Sequence, residues 1–296
     1  MYRLILFLIP FILISCDKDN NQVDDQFSYL NTPLTHFELG FELDEPDVIL
    51  NDIATGELDV LINSILVSNN GNTERKLEFE HIDNTNKISK MSFFLPHYQN
   101  CEKNIYQFYY NSQNLIDTIV STRKNFCNEF EVLKTYTFNY NFNGLLKSIF
   151  MYNDYFLEEN YFGYYPNGKI KEIYNDHHGR GVESSFGLQK FYYDDTFSNV
   201  IRLETFTNAS PSYTYKYFYD DNKNPFKNTF VAVSVYMPFF GPAYLSKNNV
   251  IKIIKKNENN IHGNEFTDEY IFNFSSPNVL DTYYELGNGF VYFVNQ

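Results

Sequence analysis

Tryptophan is absent from this chain of 296 residues, and cysteine (3), methionine (4), proline (10) and glycine (13) are scarce. So few cysteines exclude a disulfide-dense scaffold, and so few glycines and prolines exclude a collagen-like or low-complexity chain. Basic side chains are also in short supply, with 23 Lys and Arg against 37 Asp and Glu and a net charge of −14. That balance excludes nucleic acid as a partner, because its phosphates would be repelled. The sequence has no Gly-x-Ser-x-Gly elbow, His-Glu-x-x-His, Cys-x-x-Cys, phosphate-binding glycine loop or dinucleotide fingerprint. It therefore predicts a protein that is not an enzyme and needs no cofactor.

What the chain does have is aromatic side chains that favour strands: 26 Tyr and 30 Phe. Such a load is far too high for a disordered chain. The length beyond the N-terminal segments fits one large all-β domain or two smaller ones, and a single domain over residues 36–296 is the reading adopted.

The N-terminus reads as a targeting segment. Arg3 precedes an apolar run from Leu4 to Ile14, which is too short to span a bilayer as a permanent helix. The run ends in Leu13-Ile14-Ser15-Cys16, which resembles the bacterial lipobox. That resemblance implies a signal peptide over residues 1–15 and a diacylated Cys16 as the first mature residue, holding the protein to a membrane by its lipid. Removing residues 1–15 leaves 22 basic against 37 acidic side chains. Residues 16–35 then form a lipidated cysteine and tether, since Asp17 to Gln26 contains one apolar residue and cannot bury enough surface to order itself. The acidic stretch behind Cys16 is similar to the surface-export signal of Bacteroidota lipoproteins, implying a lipid-anchored, surface-exposed place on the outer membrane.

Two cysteines remain, Cys101 and Cys127, on either side of the apolar runs 105–110 and 115–120. A turn near Ser112 would put residue 124 opposite 101, within reach of a disulfide worth roughly 3 kcal/mol. Two unpaired thiols are the alternative.

The clearest local unit is Tyr136 to Ile149. Aromatics at 136, 138 and 140 alternate with polar residues, an Asn-Phe-Asn-Gly turn follows, and a second apolar run leaves it, which is a β-hairpin. Phe108 to Ile119 superposes on Phe138 to Ile149 without a gap, with Asn114 matching Gly144, and Phe162 to Ile173 keeps the frame. Looser copies begin at Phe191 and Tyr217. The anchoring tyrosines are 110, 140, 164, 193 and 219, so the hairpins are constant while their connections vary. With the shorter runs on either side, the pattern predicts an all-β fold of about 14 strands. It would be a twisted antiparallel meander of repeated hairpins, forming a curved open sheet or a partly closed barrel.

The unit aromatic-x-Tyr-[Asn/Asp]-x-x-Gly-x-[Leu/Ile]-x-x-Ile resembles the YD (Rhs-type) repeat over residues 76–226, with weaker likeness across the C-terminal strands of 227–296. Tyr219 to Phe226, taken with the lipobox, is similar to Bacteroidota outer-membrane lipoproteins of unknown function built from such repeats. Tyr-Asp itself stands only at 193–194 and 219–220; Asn replaces Asp at 111 and 141, and Tyr165 replaces it in the third copy.

Three stretches are candidate sites. Rings at Tyr110, Tyr140, Tyr164, Tyr193 and Tyr219 could form ladders that stack against a glycan or a protein ligand, or simply fill the sheet faces. Asp176-His177-His178-Gly179-Arg180-Gly181-Val182-Glu183, in the connection between the third and fourth copies, holds two imidazoles and two carboxylates. These are weak metal candidates, which would make the chain a metal-assisted envelope hydrolase, provided a loop lets both rings converge. Met237 to Leu245 is an apolar, proline-broken loop that would cap the sheet or meet a partner. The leading expectation is a non-enzymatic, lipid-anchored envelope protein that binds an extracellular ligand through a tyrosine-rich sheet surface. A partner or immunity role toward an Rhs-type toxin is a further reading.

Overall fold

The computed structural model describes residues 61–69, 72–94, 103–124, 130–153, 156–179, 182–224, 227, 245–259, 265–276, 279–286 and 290–295. Cys16 and its tether, residues 27–60, Cys101, Cys127 and residues 237–244 lie outside them.

The described residues form sixteen strands. They are β1 (Ser64–Asn69), β2 (Asn72–His81), β3 (Ile88–Phe94), β4 (Lys103–Tyr110), β5 (Ile116–Lys124), β6 (Phe130–Tyr140), β7 (Leu146–Tyr152) and β8 (Phe156–Tyr164). The series continues with β9 (Ile170–Gly179), β10 (Val182–Tyr193), β11 (Val200–Thr207), β12 (Ser210–Lys223), β13 (Asn248–Asn257), β14 (Glu265–Ser276), β15 (Val279–Leu286) and β16 (Phe290–Asn295). Every strand pairs antiparallel with its sequence neighbours, which is the all-β meander the alternating pattern predicts. The sixteen described strands stand close to the expected number of about fourteen. β1 and β16 pair from Ser64↔Asn295 to Asn69↔Phe290, so the sheet returns on itself as a barrel and leaves no open edge among the described strands.

In a meander of this kind, the β2–β3, β4–β5, β6–β7, β8–β9, β10–β11 and β12–β13 connections all lie at one rim. Five of these turns share a geometry. The backbone N–H groups of Ile82, Asn111, Asn141, Tyr165 and Asp194 donate to the carbonyls of Lys87, Leu115, Leu145, Lys169 and Asn199 at 2.8–2.9 Å. The Asn141 side-chain oxygen accepts from the N–H groups of Asn143 and Leu145, and Asn111 and Asp194 do the same in their own turns. One position in each turn has positive φ: Asn84 (58°), Asn114 (62°), Gly144 (80°), Gly168 (78°) and Phe197 (53°). That is where glycine fits at no steric cost and asparagine is the best tolerated substitute, and it explains why Asn114 aligns with Gly144.

Strand alternation sorts the side chains. Leu77, Phe79, Met91, Phe93, Phe108, Ile119, Phe138, Ile149, Phe162, Ile173, Phe191, Leu203, Tyr217 and Ile253 point inward and pack as one buried cluster. Their neighbours Glu78, Glu80, Lys90, Thr137, Lys190, Glu204, Lys216 and Lys252 point outward. The described end of the 237–245 loop, Leu245, is buried in the same cluster.

Candidate functional site

The five repeat tyrosines all lie at or against the buried core. Tyr164 belongs to the core, and Tyr110, Tyr140, Tyr193 and Tyr219 pack against it. Backbone pairing between hairpins stops short of the turn rim: the last pairs are Lys90↔Gln107, Thr118↔Thr137, Ser148↔Tyr161 and Arg202↔Lys216. The carbonyls two residues beyond, on Ile88, Ile116, Leu146 and Val200, therefore lack a strand partner. The hydroxyls of Tyr110 (2.6 Å), Tyr140, Tyr164 (2.5 Å) and Tyr219 donate to those four carbonyls in turn. A buried carbonyl left unpaired would be costly, so each tyrosine completes the ladder where the strands part. These four hydroxyls thus serve the architecture of the sheet.

The series has two departures. At the first hairpin His81 takes the tyrosine's place, its Nε2 lying 2.8 Å from the carbonyl of Ile62. Since a carbonyl only accepts, Nε2 carries the proton. In the fourth copy the hydroxyl of Tyr193 is buried without a hydrogen-bond partner among the described residues. Tyr165, which stands where other copies have Asn or Asp, donates instead to the carbonyl of Phe191 at 2.9 Å. Tyr165 meets Tyr193 and Phe197 edge-on there, while Tyr193 and Phe197 are tilted by 30° to each other, with ring centroids 5.4–6.1 Å apart. Burial raises the hydroxyl pKa values of Tyr140, Tyr164, Tyr193 and Tyr219, keeping all four protonated well above neutral pH.

Residues 176–179 and 182–183 are strand rather than loop. Residues 176–179 complete β9 and residues 182–183 begin β10, so His177 and His178 sit on an extended strand with their side chains on opposite faces. His177 lies opposite Glu158 on the inner face and His178 opposite Leu157 on the outer face. The strand conformation thus keeps the adjacent imidazoles from ligating one metal ion, and no cluster of three metal-ligating side chains occurs among the described residues.

Cross-strand pairing creates two groups here that sequence adjacency does not reveal. On the inner face, the Asn175 amide donates to Glu158 Oε1 (2.9 Å) and Asn160 Oδ1 (3.0 Å), and Asn160 donates to Glu158 Oε1 (3.1 Å). On the outer face Glu159 and Asp176 are a directly opposed pair, 4% and 8% exposed. The Tyr161 hydroxyl donates to Glu159 at 3.1 Å, and His178 Nε2 lies 3.1 Å from Asp176 Oδ1. Burial, reinforced by the neighbouring Asp176, raises the Glu159 carboxyl pKa against the opposing hydrogen bond from Tyr161.

Away from the turn rim the inner wall becomes polar. Asn104, Arg123, Lys134, Asn160, Asn175, His177, Gln189 and Thr205 occupy the inward positions that apolar residues hold near the turns. On β12 three inward tyrosines follow one another, Tyr213, Tyr215 and Tyr217, with centroid spacings of 6.2 and 6.5 Å. The Lys255 ammonium lies 4.1 Å from the Tyr213 ring centre and 5.6 Å from that of Tyr215. Tyr217 is buried, whereas Tyr213 and Tyr215 are half-buried. The sequence offers a direct signal for this trio, the alternating Tyr-Thr-Tyr-Lys-Tyr from 213 to 217.

The fold and these groups define a closed antiparallel β-meander, dry at one end of its interior and hydrogen-bonding at the other. No protein-family model matches the chain, and no curated protein matches it in sequence. Among solved structures it is similar to a porin-like protein from Bacteroides vulgatus ATCC 8482, with 9% identity, TM-score 0.38, and coverage of 80% of this chain and 98% of that one. It is similar to a porin-like protein from Bacteroides uniformis ATCC 8492, with 10% identity, TM-score 0.40, and coverage of 79% and 97%. A looser likeness, TM-score 0.29 at 13% identity, links 70% of this chain to 13% of TcdB2-TccC3. Likenesses this distant carry no argument about activity.

Proposed function

We propose that this chain is a lipid-anchored cell-envelope protein of non-enzymatic type, whose barrel stands in water and binds an extracellular ligand with its inner wall. The observation that carries the reading is the sign of the barrel's two faces. A barrel embedded in lipid turns an apolar band outward and polar residues inward. Here apolar side chains fill the buried cluster, and the outward face carries ion pairs: Lys90 with Glu80 (2.5 Å), Lys252 with Glu269 (2.9 Å) and Arg202 with Glu204 (3.3 Å). Each Lys or Arg facing mid-bilayer would cost about 2–4 kcal/mol. Attachment to a membrane therefore falls to the lipid expected on Cys16, with the acidic tether as spacer.

Radiolabelled palmitate together with fractionation tests this. The natural chain should incorporate label and sediment with the envelope. Cys16→Ala should lose the label and appear in the soluble fraction without detergent. A Cys16→Ala chain that stays in the membrane until detergent is added would overturn the water-facing reading, and unchanged labelling would overturn the anchor.

A further inference from the structure

We propose that the inner wall around Tyr213, Tyr215 and Lys255 is a binding site for an acidic oligosaccharide. The inference rests on the reading above of an extracellular binding protein and names its site and ligand class.

The anchor tyrosines 110, 140, 164 and 219 give their hydroxyls to backbone carbonyls. Tyr213 and Tyr215 give theirs to nothing among the described residues, and both rings are half-buried on the inner face. An amphipathic ring with a free hydroxyl offers a flat apolar surface and a polar rim together, which is what a sugar's C–H face and hydroxyls require. The two rings are consecutive on one face, 6.2 Å apart, and lead to buried Tyr217, so a chain of sugars would meet two platforms and then a dry stop. Gln189 and Thr205 lie in the same lateral row as Tyr213, and the Gln189 amide has no hydrogen bond to a described residue.

Charge then selects the class of sugar. Lys76, Lys90, Lys252 and Lys256 each sit on a carboxylate at 2.5–2.9 Å. Lys255 has no carboxylate partner among the described residues and rests over the two tyrosine rings. Asp268 is on the same face, opposite Ile253, without forming an ion pair with it. In a chain of net charge −14, any anion is repelled overall unless a local cation compensates. A lysine held on aromatic rings without a carboxylate supplies that compensation where a ring-stacked ligand would carry its own carboxylate. Single-stranded nucleic acid also stacks on rings, but its phosphate backbone would be repelled by a chain of net charge −14.

Calorimetric titration of the detergent-solubilised full chain tests the proposal, using an oligogalacturonate and an uncharged cello-oligosaccharide of equal length. The uronate should bind saturably, at least about tenfold more tightly than the neutral oligomer, and more weakly as salt is added. Lys255→Gln should remove that preference. The double change Tyr213→Phe with Tyr215→Phe, which keeps both rings, should weaken binding by about tenfold at an unchanged melting temperature. Equal affinity for the two oligomers, no binding of the uronate, or a Lys255→Gln chain that keeps its preference would each overturn the site. Those results leave the water-facing, lipid-anchored reading intact, because it stands on palmitate labelling and fractionation alone.

Discussion

The hydroxyl of Tyr164 donates to the backbone carbonyl of Leu146 at 2.5 Å, across the point where β7 and β8 stop exchanging backbone hydrogen bonds. Tyr110, Tyr140 and Tyr219 repeat that relationship at their own junctions, and His81 performs it with an imidazole. The tyrosine of the repeat is thus a side-chain extension of the backbone ladder.

Removing one hydroxyl should therefore have opposite consequences at two equivalent positions. Tyr164→Phe leaves the Leu146 carbonyl buried and unpaired, so urea unfolding should show a loss of about 1–3 kcal/mol. Tyr193→Phe removes a hydroxyl that already lacks a described partner, so stability should stay within about 0.5 kcal/mol or rise. Equal losses at both sites would show that the hydrogen bond is not what stabilises the junction.

The turn position with positive φ gives a second pair. At Gly144, φ is 80°, and Gly144→Ala should cost about 1–2 kcal/mol because a Cβ strains a left-handed backbone. At Asn114, φ is 62°, and Asn114→Gly should be neutral or mildly stabilising. Thermal melts of the two single variants decide whether the repeats share one backbone requirement.

Alkaline pH should unfold the protein cooperatively. Burial, the foremost cause in each case, raises the hydroxyl pKa values of Tyr106, Tyr136, Tyr140, Tyr164, Tyr193 and Tyr219, and pushes that of Tyr174 up to about 12. Above the ordinary value of 10.0, the unfolded chain releases protons that the native chain retains. The native state then binds more protons, and stability falls as pH rises. Tyrosinate absorbance should lag the exposed-tyrosine curve and then rise together with loss of β-structure. A smooth titration near the ordinary value with the fold intact would contradict the buried ladder.

Glu159 supplies the acidic counterpart. Its carboxyl pKa is raised, mainly by burial, so the folded chain holds a proton that the unfolded chain has lost once pH passes the ordinary value of 4.5. Stability contributed at low pH is then lost as pH rises through the folded value. Glu159→Gln should raise the melting temperature near neutrality and flatten its decline from pH 4.5 upward, while the amide oxygen still accepts from Tyr161. An unchanged pH profile would remove Glu159 as the source.

Much of this molecule was legible locally. The alternation of Tyr136, Phe138 and Tyr140 with polar neighbours specified β6, and Gly144 with Asn141 specified the turn that follows. The superposition of Asn114 on Gly144 predicted a shared backbone conformation, because left-handed φ is a property of the single residue. The adjacent pair His177 and His178 was harder to read, since whether two neighbouring side chains converge depends on the backbone between them, and pairing with β8 and β10 makes it a strand.

By itself the sequence determined the period-2 strands, the turn residues, the recurrence of the tyrosines and the excess of acidic charge. The tertiary structure alone decided which face of each strand is inside. Phe108-Tyr109-Tyr110 carries aromatics on both faces, and only closure of the sheet leaves Tyr109 exposed while Tyr110 bonds the Ile88 carbonyl. It also decided that β1 meets β16, that Glu159 opposes Asp176, and that Lys255 rests over Tyr213. Alternation is written in the local covalent chain, but inside and outside exist only once distant strands have paired.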